Sequence, residues 1–112
     1  MWDWGSGLLT ITSRDGHDRV QVAAIGEIDR DTVATLADTL TIELDRYSAP
    51  AVLCVDLGEV TFLAAAGVNA LLVGRRYAYR RGVSYQVVNA AGIALCVLRA
   101  LELDSVLLSP SL

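Results

Sequence analysis

The sequence predicts an α/β domain with a mixed, mostly parallel β-sheet flanked by helices. Three observations carry this: two β-rich runs separated by a turn, later apolar runs separated by single segments of helical period, and short breaker clusters between them. Leu8 to Ser13 alternates apolar and polar residues, Val20 to Ile25 is β-rich, and Asp15-Gly16 lies between, which is a hairpin signal. From Asp31 the period changes, and Val33, Leu36, Leu40, Leu44 and Tyr47 recur at helical spacing. A first helix therefore runs to about Tyr47, with Asp31 or Asp29 able to cap it. Ser48-Ala49-Pro50 ends that helix, because Pro50 disfavours helical geometry at the residue before it. Ala51 to Asp56 is short and mostly apolar, as a strand covered on both faces should be.

After an expected turn at Gly58-Glu59, the residues Val68, Leu71, Leu72, Ala78 and Tyr79 define a second helix closed by Gly82. Ser84 to Val88 reads as the next buried strand. Asn89 is placed to cap a third helix with an apolar stripe of Ile93, Cys96, Val97, Ala100 and Leu101. Ser105 to Leu108 is an optional last strand. The order is ββαβαβα with an optional final β, and strands separated by single helices imply right-handed parallel crossovers. The 112 residues fit one domain, 1–112, with no internal repeat, low-complexity tract or linker.

Hydrophobic residues make up 54% of the chain, and the mean hydropathy is +0.45. The longest apolar run, Phe62 to Val73, is interrupted by Asn69 and falls short of the roughly 20 residues a spanning helix needs. No membrane insertion is expected. A net charge of −4 argues against direct nucleic-acid binding, which needs clustered cations. All nine basic residues are arginines, and Arg75, Arg76, Arg80 and Arg81 sit where cations complement the negative end of a helix dipole. The start, MWDWGSG, has neither a basic n-region nor an apolar h-region, so a cytoplasmic protein is expected. Trp2 and Trp4 are expected either to fold back on the core or to form a homodimer contact.

Little in the chain suggests catalysis or a cofactor. GxGxxG and GxxxxGK[ST] are both absent, and Gly58 and Gly67 alone make no phosphate cradle. Cys54 and Cys96 lack CxxC spacing and read as buried thiols, while the single His17 excludes a two-His metal site. His17 lies beside the hairpin turn and reads as solvated. Glu27 with Asp29, and Asp56 with Glu59, read as caps and turn residues rather than an acid/base pair. The chain is therefore expected to be no enzyme and to carry no cofactor.

Gly26-Glu27-Ile28-Asp29 before a helix, then Val55-Asp56-Leu57, Val60-Thr61-Phe62, an apolar stretch, Gly67 and an apolar helix, resembles a STAS domain of the anti-sigma factor antagonist type. The resemblance runs from about Leu8 to Leu107 and includes Val88-Asn89 and the stretch from Val97 to Leu103. It implies a protein-binding module that docks on an anti-sigma factor of serine-kinase fold and releases the sigma factor held there. By position, the implied contact residues are Glu27, Asp29 and Asp31 in the first loop, and Leu63, Ala64, Ala65, Ala66, Gly67 and Asn69 at the start of the second helix.

The chain departs from that family at one informative place. Members commonly read Asp-Ser-Ser-Gly where this chain has Ala64-Ala65-Ala66-Gly67, and the phosphorylated hydroxyl belongs at the position of Ala66. Alanine cannot accept a phosphoryl group, so the charge-based switch is expected to be missing there. Thr61 is expected to be buried and Ser84 to begin a strand, which leaves neither as an evident substitute. The alternatives implied by the same resemblance are a subunit of an ABC-type transport complex, bound to its ATPase in trans, or a non-switching scaffold.

Overall fold

The two β-rich runs pair as an antiparallel hairpin, β1 (Leu9–Gly16) with β2 (Arg19–Ile28), from Leu9 opposite Gly26 to Gly16 opposite Arg19. The computed structural model describes residues 9–16, 18–47 and 51–108. The readings made for Leu8, Trp2, Trp4, His17 and Ser48-Ala49-Pro50 lie outside the described residues.

From β2 the chain enters α1 (Val33–Arg46), returns as β3 (Val52–Leu63), crosses through α2 (Ala65–Arg81) to β4 (Ser84–Val88), and finishes with α3 (Gly92–Ala100) and α4 (Asp104–Leu107). The sheet order is β1-β2-β3-β4, with β2, β3 and β4 parallel. This is the mixed, mostly parallel α/β architecture that the strand and helix periods predict.

Residues two apart in a strand share a face, and one face of this sheet is apolar across β2, β3 and β4. Val20, Val22 and Ala24 of β2, Leu53 and Val55 of β3, and Tyr85 and Val87 of β4 are all buried. Leu36, Leu40 and Leu44 of α1 and Val68, Leu71 and Ala78 of α2 join them in one core. Each such large side chain contributes about 1.5–3 kcal/mol on full burial. The Tyr85 hydroxyl rises from this face and donates to Leu71 O at 2.9 Å, satisfying the one polar atom that the aromatic brings into the core.

The alternate positions are more polar. Asp56, one of them, gathers three donors: Gln21 Nε2 donates to Oδ2 at 3.0 Å, Asn89 Nδ2 donates to Oδ2 at 3.1 Å, and Gly58 N donates to Oδ1 at 2.8 Å. Arg19 Nη1 lies 3.5 Å from the buried Cys54 thiol.

Several local expectations change. The Gly58-Glu59 turn is no turn, because β3 runs through it to Leu63. Two register shifts against β2, between Ala23 and Ile25 and between Gly26 and Glu27, each absorb one extra β3 residue. Asn89 does not cap α3. It has φ 58°, whereas an N-cap needs extended backbone, which Ala91 supplies at φ −145°.

With α3 starting at Gly92, the buried face is that of Ala94 and Leu98. Ile93, Cys96, Ala100 and Leu101 of the expected stripe are exposed, so Cys96 is no buried thiol. Tyr79 is likewise exposed at 73%. The optional final strand at Ser105–Leu108 is instead part of α4, whose Leu107 is buried and whose capping Leu108 O accepts from Gln86 Nε2 at 3.0 Å. A strand would have needed a sheet edge to pair with, and β4 is held by a helix end there instead.

Candidate functional site

Parallel β2 and β3 end side by side, with Glu27 opposite Phe62 and Ile28 opposite Leu63. The loops that leave them are therefore adjacent, at the carboxyl ends of the strands where α/β sheets gather their ligands. Ala64 N donates to Ile28 O at 2.9 Å and ties the two loop origins together. The structure thus brings the loop that holds Glu27, Asp29 and Asp31 next to the Leu63–Asn69 segment.

The first loop is built by two side chains. Gly26, at φ 112°, adopts a backbone that residues with a Cβ avoid, and it coincides with the second register shift. Asp29 Oδ1 then accepts from Asp31 N at 2.9 Å and Thr32 N at 3.0 Å. Thr32 answers in the opposite direction, its Oγ1 donating to Glu27 O at 2.8 Å and accepting from Asp29 N at 2.9 Å. Asp29 therefore organises the approach to α1, while Glu27 is half-buried and Asp31 exposed. Thr32, only 5% exposed, is a positioning residue that the sequence did not flag. A hydroxyl three residues after Asp at a helix start was the available signal.

The second loop is the entrance of α2. Ala64 is extended at ψ 167°, helix begins at Ala65, and no side chain caps it. Gly67 is compulsory for packing: a Cβ there would lie 2.5 Å from Ile28 Cγ2 and 2.8 Å from Leu63 Cδ1. Its absence lets the first turn of α2 rest directly on the end of β2.

The exposed members of this segment are Ala65 and Asn69; Ala64 and Ala66 are half-buried; Leu63 and Gly67 are buried. Leu63 thus supports the surface from beneath, and Phe62, 46% exposed, takes its place outside. The extra β3 residue near Thr61 breaks strand alternation here.

The chemistry offered is a small apolar step flanked by carboxylates. Positions 64 to 66 bring methyl groups to the helix start, while Glu27 and Phe62 are register neighbours at the ends of β2 and β3 and Asp31 is exposed in the loop that follows β2. Thr61 is exposed rather than buried. No group of three His, Cys, Asp or Glu side chains suited to a metal occurs among the described residues. Among those residues, no helix is long and apolar enough to cross a membrane.

Away from the site, the arginines at the end of α2 divide. Arg81 reaches across to α1, donating from Nε to Leu44 O at 3.2 Å and from Nη2 to Asp45 O at 3.2 Å and Tyr47 O at 3.3 Å. It thereby satisfies carbonyls that the end of α1 leaves without partners.

Residues 11–109 match the family model described as "Mlab, STAS domain". Among solved structures, the chain is similar to an anti-sigma factor antagonist from Mycobacterium paratuberculosis, with a TM-score of 0.79 and 24% identity over 95% of this chain and 89% of that one. It is similar to the anti-sigma factor antagonist SpoIIAA in its unphosphorylated form, with a TM-score of 0.67 and 11% identity over 92% and 90% of the two chains. A sulfate transporter family protein from Wolinella succinogenes is also similar, at 0.56 and 21% over 76% and 70%. Among curated proteins none matches.

Proposed function

We propose that this chain, which belongs to the STAS domain family, is an anti-sigma factor antagonist that binds a serine-kinase-type anti-sigma factor through the α2 entrance and the adjoining β2–α1 loop. The observation that supports this most is the convergence of Glu27–Asp31 with Phe62–Asn69 at the ends of β2 and β3, held by the Ala64 to Ile28 hydrogen bond. Small side chains at Ala64, Ala65 and Ala66 allow close approach of a partner backbone, and Phe62, 46% exposed at the end of β3, adds apolar surface at the same end of the sheet.

In the family this segment resembles, phosphorylation at the position of Ala66 would place a charge of about −2 in such a contact and repel the partner. Here the position holds a methyl group, so the module is constitutively competent to bind. Action in the cytoplasm follows from this role.

Ala66→Asp, which mimics the missing charge, is expected to weaken binding to the anti-sigma kinase encoded in the same genome at least tenfold, about 1.4 kcal/mol. Calorimetric titration of the folded variant reads this directly, and an unchanged affinity rejects the surface. Wild-type protein incubated with that kinase and ATP is expected to keep its intact mass; stoichiometric phosphate on Thr61 or Ser84 would end the constitutive reading.

The similarity to a sulfate transporter family protein favours a second reading, a regulatory subunit bound to a transport protein supplied in trans. Binding of a transport ATPase through the same entrance, with no affinity for the anti-sigma kinase, would select it.

A further inference from the structure

An open cavity of about 600 Å³ runs along the outer seam between α1 and α2. Its walls follow helical spacing, with Val33, Ala37 and Leu44 on α1 facing Ala66, Ala70 and Val73 on α2. Small side chains keep it open. Gly74 lets the helices meet at its floor, where a Cβ would lie 3.2 Å from Leu40 Cδ1.

The far end is closed from below by the Tyr77 hydroxyl, which donates to Asp45 Oδ1 across the two helices. Arg76 and Arg80 line that end, and neither has a hydrogen-bond or ion-pair partner among the described residues. Among the described residues no acidic side chain lines the cavity, although the chain carries a net charge of −4. The other end opens at Ala66 and Asn69, on the proposed docking surface.

We infer that this groove receives an amphipathic helix of the docked partner, laid along α1 and α2 with its apolar face inward and its carboxylates on Arg76 and Arg80. The inference rests on the docking reading for the identity of the partner, while charge and shape alone define the chemistry of the occupant. The α2 wall from Ala66 to Arg80 is about 21 Å long at 1.5 Å per residue, enough for a helix of about fourteen residues. A third helix seated there would desolvate Val73, now 51% exposed, and pair two cations that have no acid within the groove. Helix addition also suits a channel walled by helices on two sides and open on the third.

The test uses the full chain and two labelled, capped peptides of about fourteen residues, long enough to form four turns. Both carry leucines at i, i+3, i+4 and i+7; one has glutamates flanking that stripe at one end, and the other has lysines there. Fluorescence anisotropy is expected to show binding of the acidic peptide and at least tenfold weaker binding of the basic one. The double variant Arg76→Glu with Arg80→Glu is expected to reverse the preference, and Val73→Asp to weaken the acidic peptide about tenfold, with unfolding midpoints confirming that both variants fold.

Failure of the acidic peptide to bind, binding indifferent to the arginines, or arginine-dependent binding of oleate without either peptide would overturn the inference. None of these outcomes touches the entrance reading, which Ala66→Asp tests against the kinase itself.

Discussion

Gly67 sits on Ile28 so closely that a Cβ added to it would come within 2.5 Å of Ile28 Cγ2. The first turn of α2 is thereby placed on the end of β2, and the two loops become one surface. Gly67→Ala is expected to force these elements apart and to destabilise the domain by about 1–3 kcal/mol, the usual range for overpacking. Urea unfolding of the variant and wild type measures it; equal stability would mean that Ile28 and Leu63 yield freely.

Thr32 and Asp29 hold the other half of the surface. Thr32→Val preserves shape but removes the hydroxyl that bridges Glu27 O and Asp29 N, and loss of satisfied buried polar groups of this kind is worth about 1–3 kcal/mol. Hydrogen exchange is expected to accelerate at the amides of residues 29 to 33 more than in β4. A uniform acceleration would show that Thr32 supports the whole domain rather than the loop.

Arg80 and Arg81 are neighbours with different duties. Arg81→Met retains much of the aliphatic stem but leaves the Leu44, Asp45 and Tyr47 carbonyls to water, lowering stability by about 1 kcal/mol. Arg80→Met, whose side chain has no hydrogen-bond or ion-pair partner among the described residues, is expected to leave the thermal midpoint unchanged. Equal effects at both positions would assign the result to net charge instead.

Burial raises the pKa of Tyr85 well above the ordinary tyrosine value of about 10. The unfolded chain therefore loses this proton first, so the stability associated with the neutral hydroxyl is complete below about pH 10 and declines as pH rises above it. Denaturant midpoints are expected to fall more steeply above pH 10 in wild type than in Tyr85→Phe. Tyr47 and Tyr77, whose pKa values are also raised, remain in both proteins and cancel in the comparison.

Restoring hydroxyls tests the proposed loss of switching. Ala66→Ser combined with Ala64→Asp and Ala65→Ser rebuilds the family pattern at a helix start that tolerates these residues. The variant is expected to fold, to gain one phosphate from the anti-sigma kinase, and then to bind it at least tenfold less tightly, about 1.4 kcal/mol. Mass measurement before and after ATP reads the first step; a folded variant that stays unmodified removes the mechanical support for the antagonist reading.

The sequence by itself determined the hairpin, α1, α2, β4 and the parallel order, because each depends on a local period and a local stop signal. Leu36, Leu40 and Leu44 recur at helical spacing, and Gly82 ends α2 in a left-handed conformation at φ 72°. The alanine run at the helix entrance was equally legible, since the lack of a hydroxyl is a property of composition.

Tertiary structure alone decided where surfaces face. Asn89 is drawn from a helix cap to Asp56 by a strand 33 residues away in sequence. Leu63, an implied contact residue, is buried and Phe62 beside it is exposed, at the end of a strand that absorbs extra residues against β2. Cys96 turns to solvent because α3 packs against β3 on the Ala94–Leu98 stripe. The groove between α1 and α2 belongs to neither helix, and the arginines that line it acquire meaning only when the two amphipathic faces are brought together. Periodicity reports which residues share a side of one element; only packing between elements decides which side meets water.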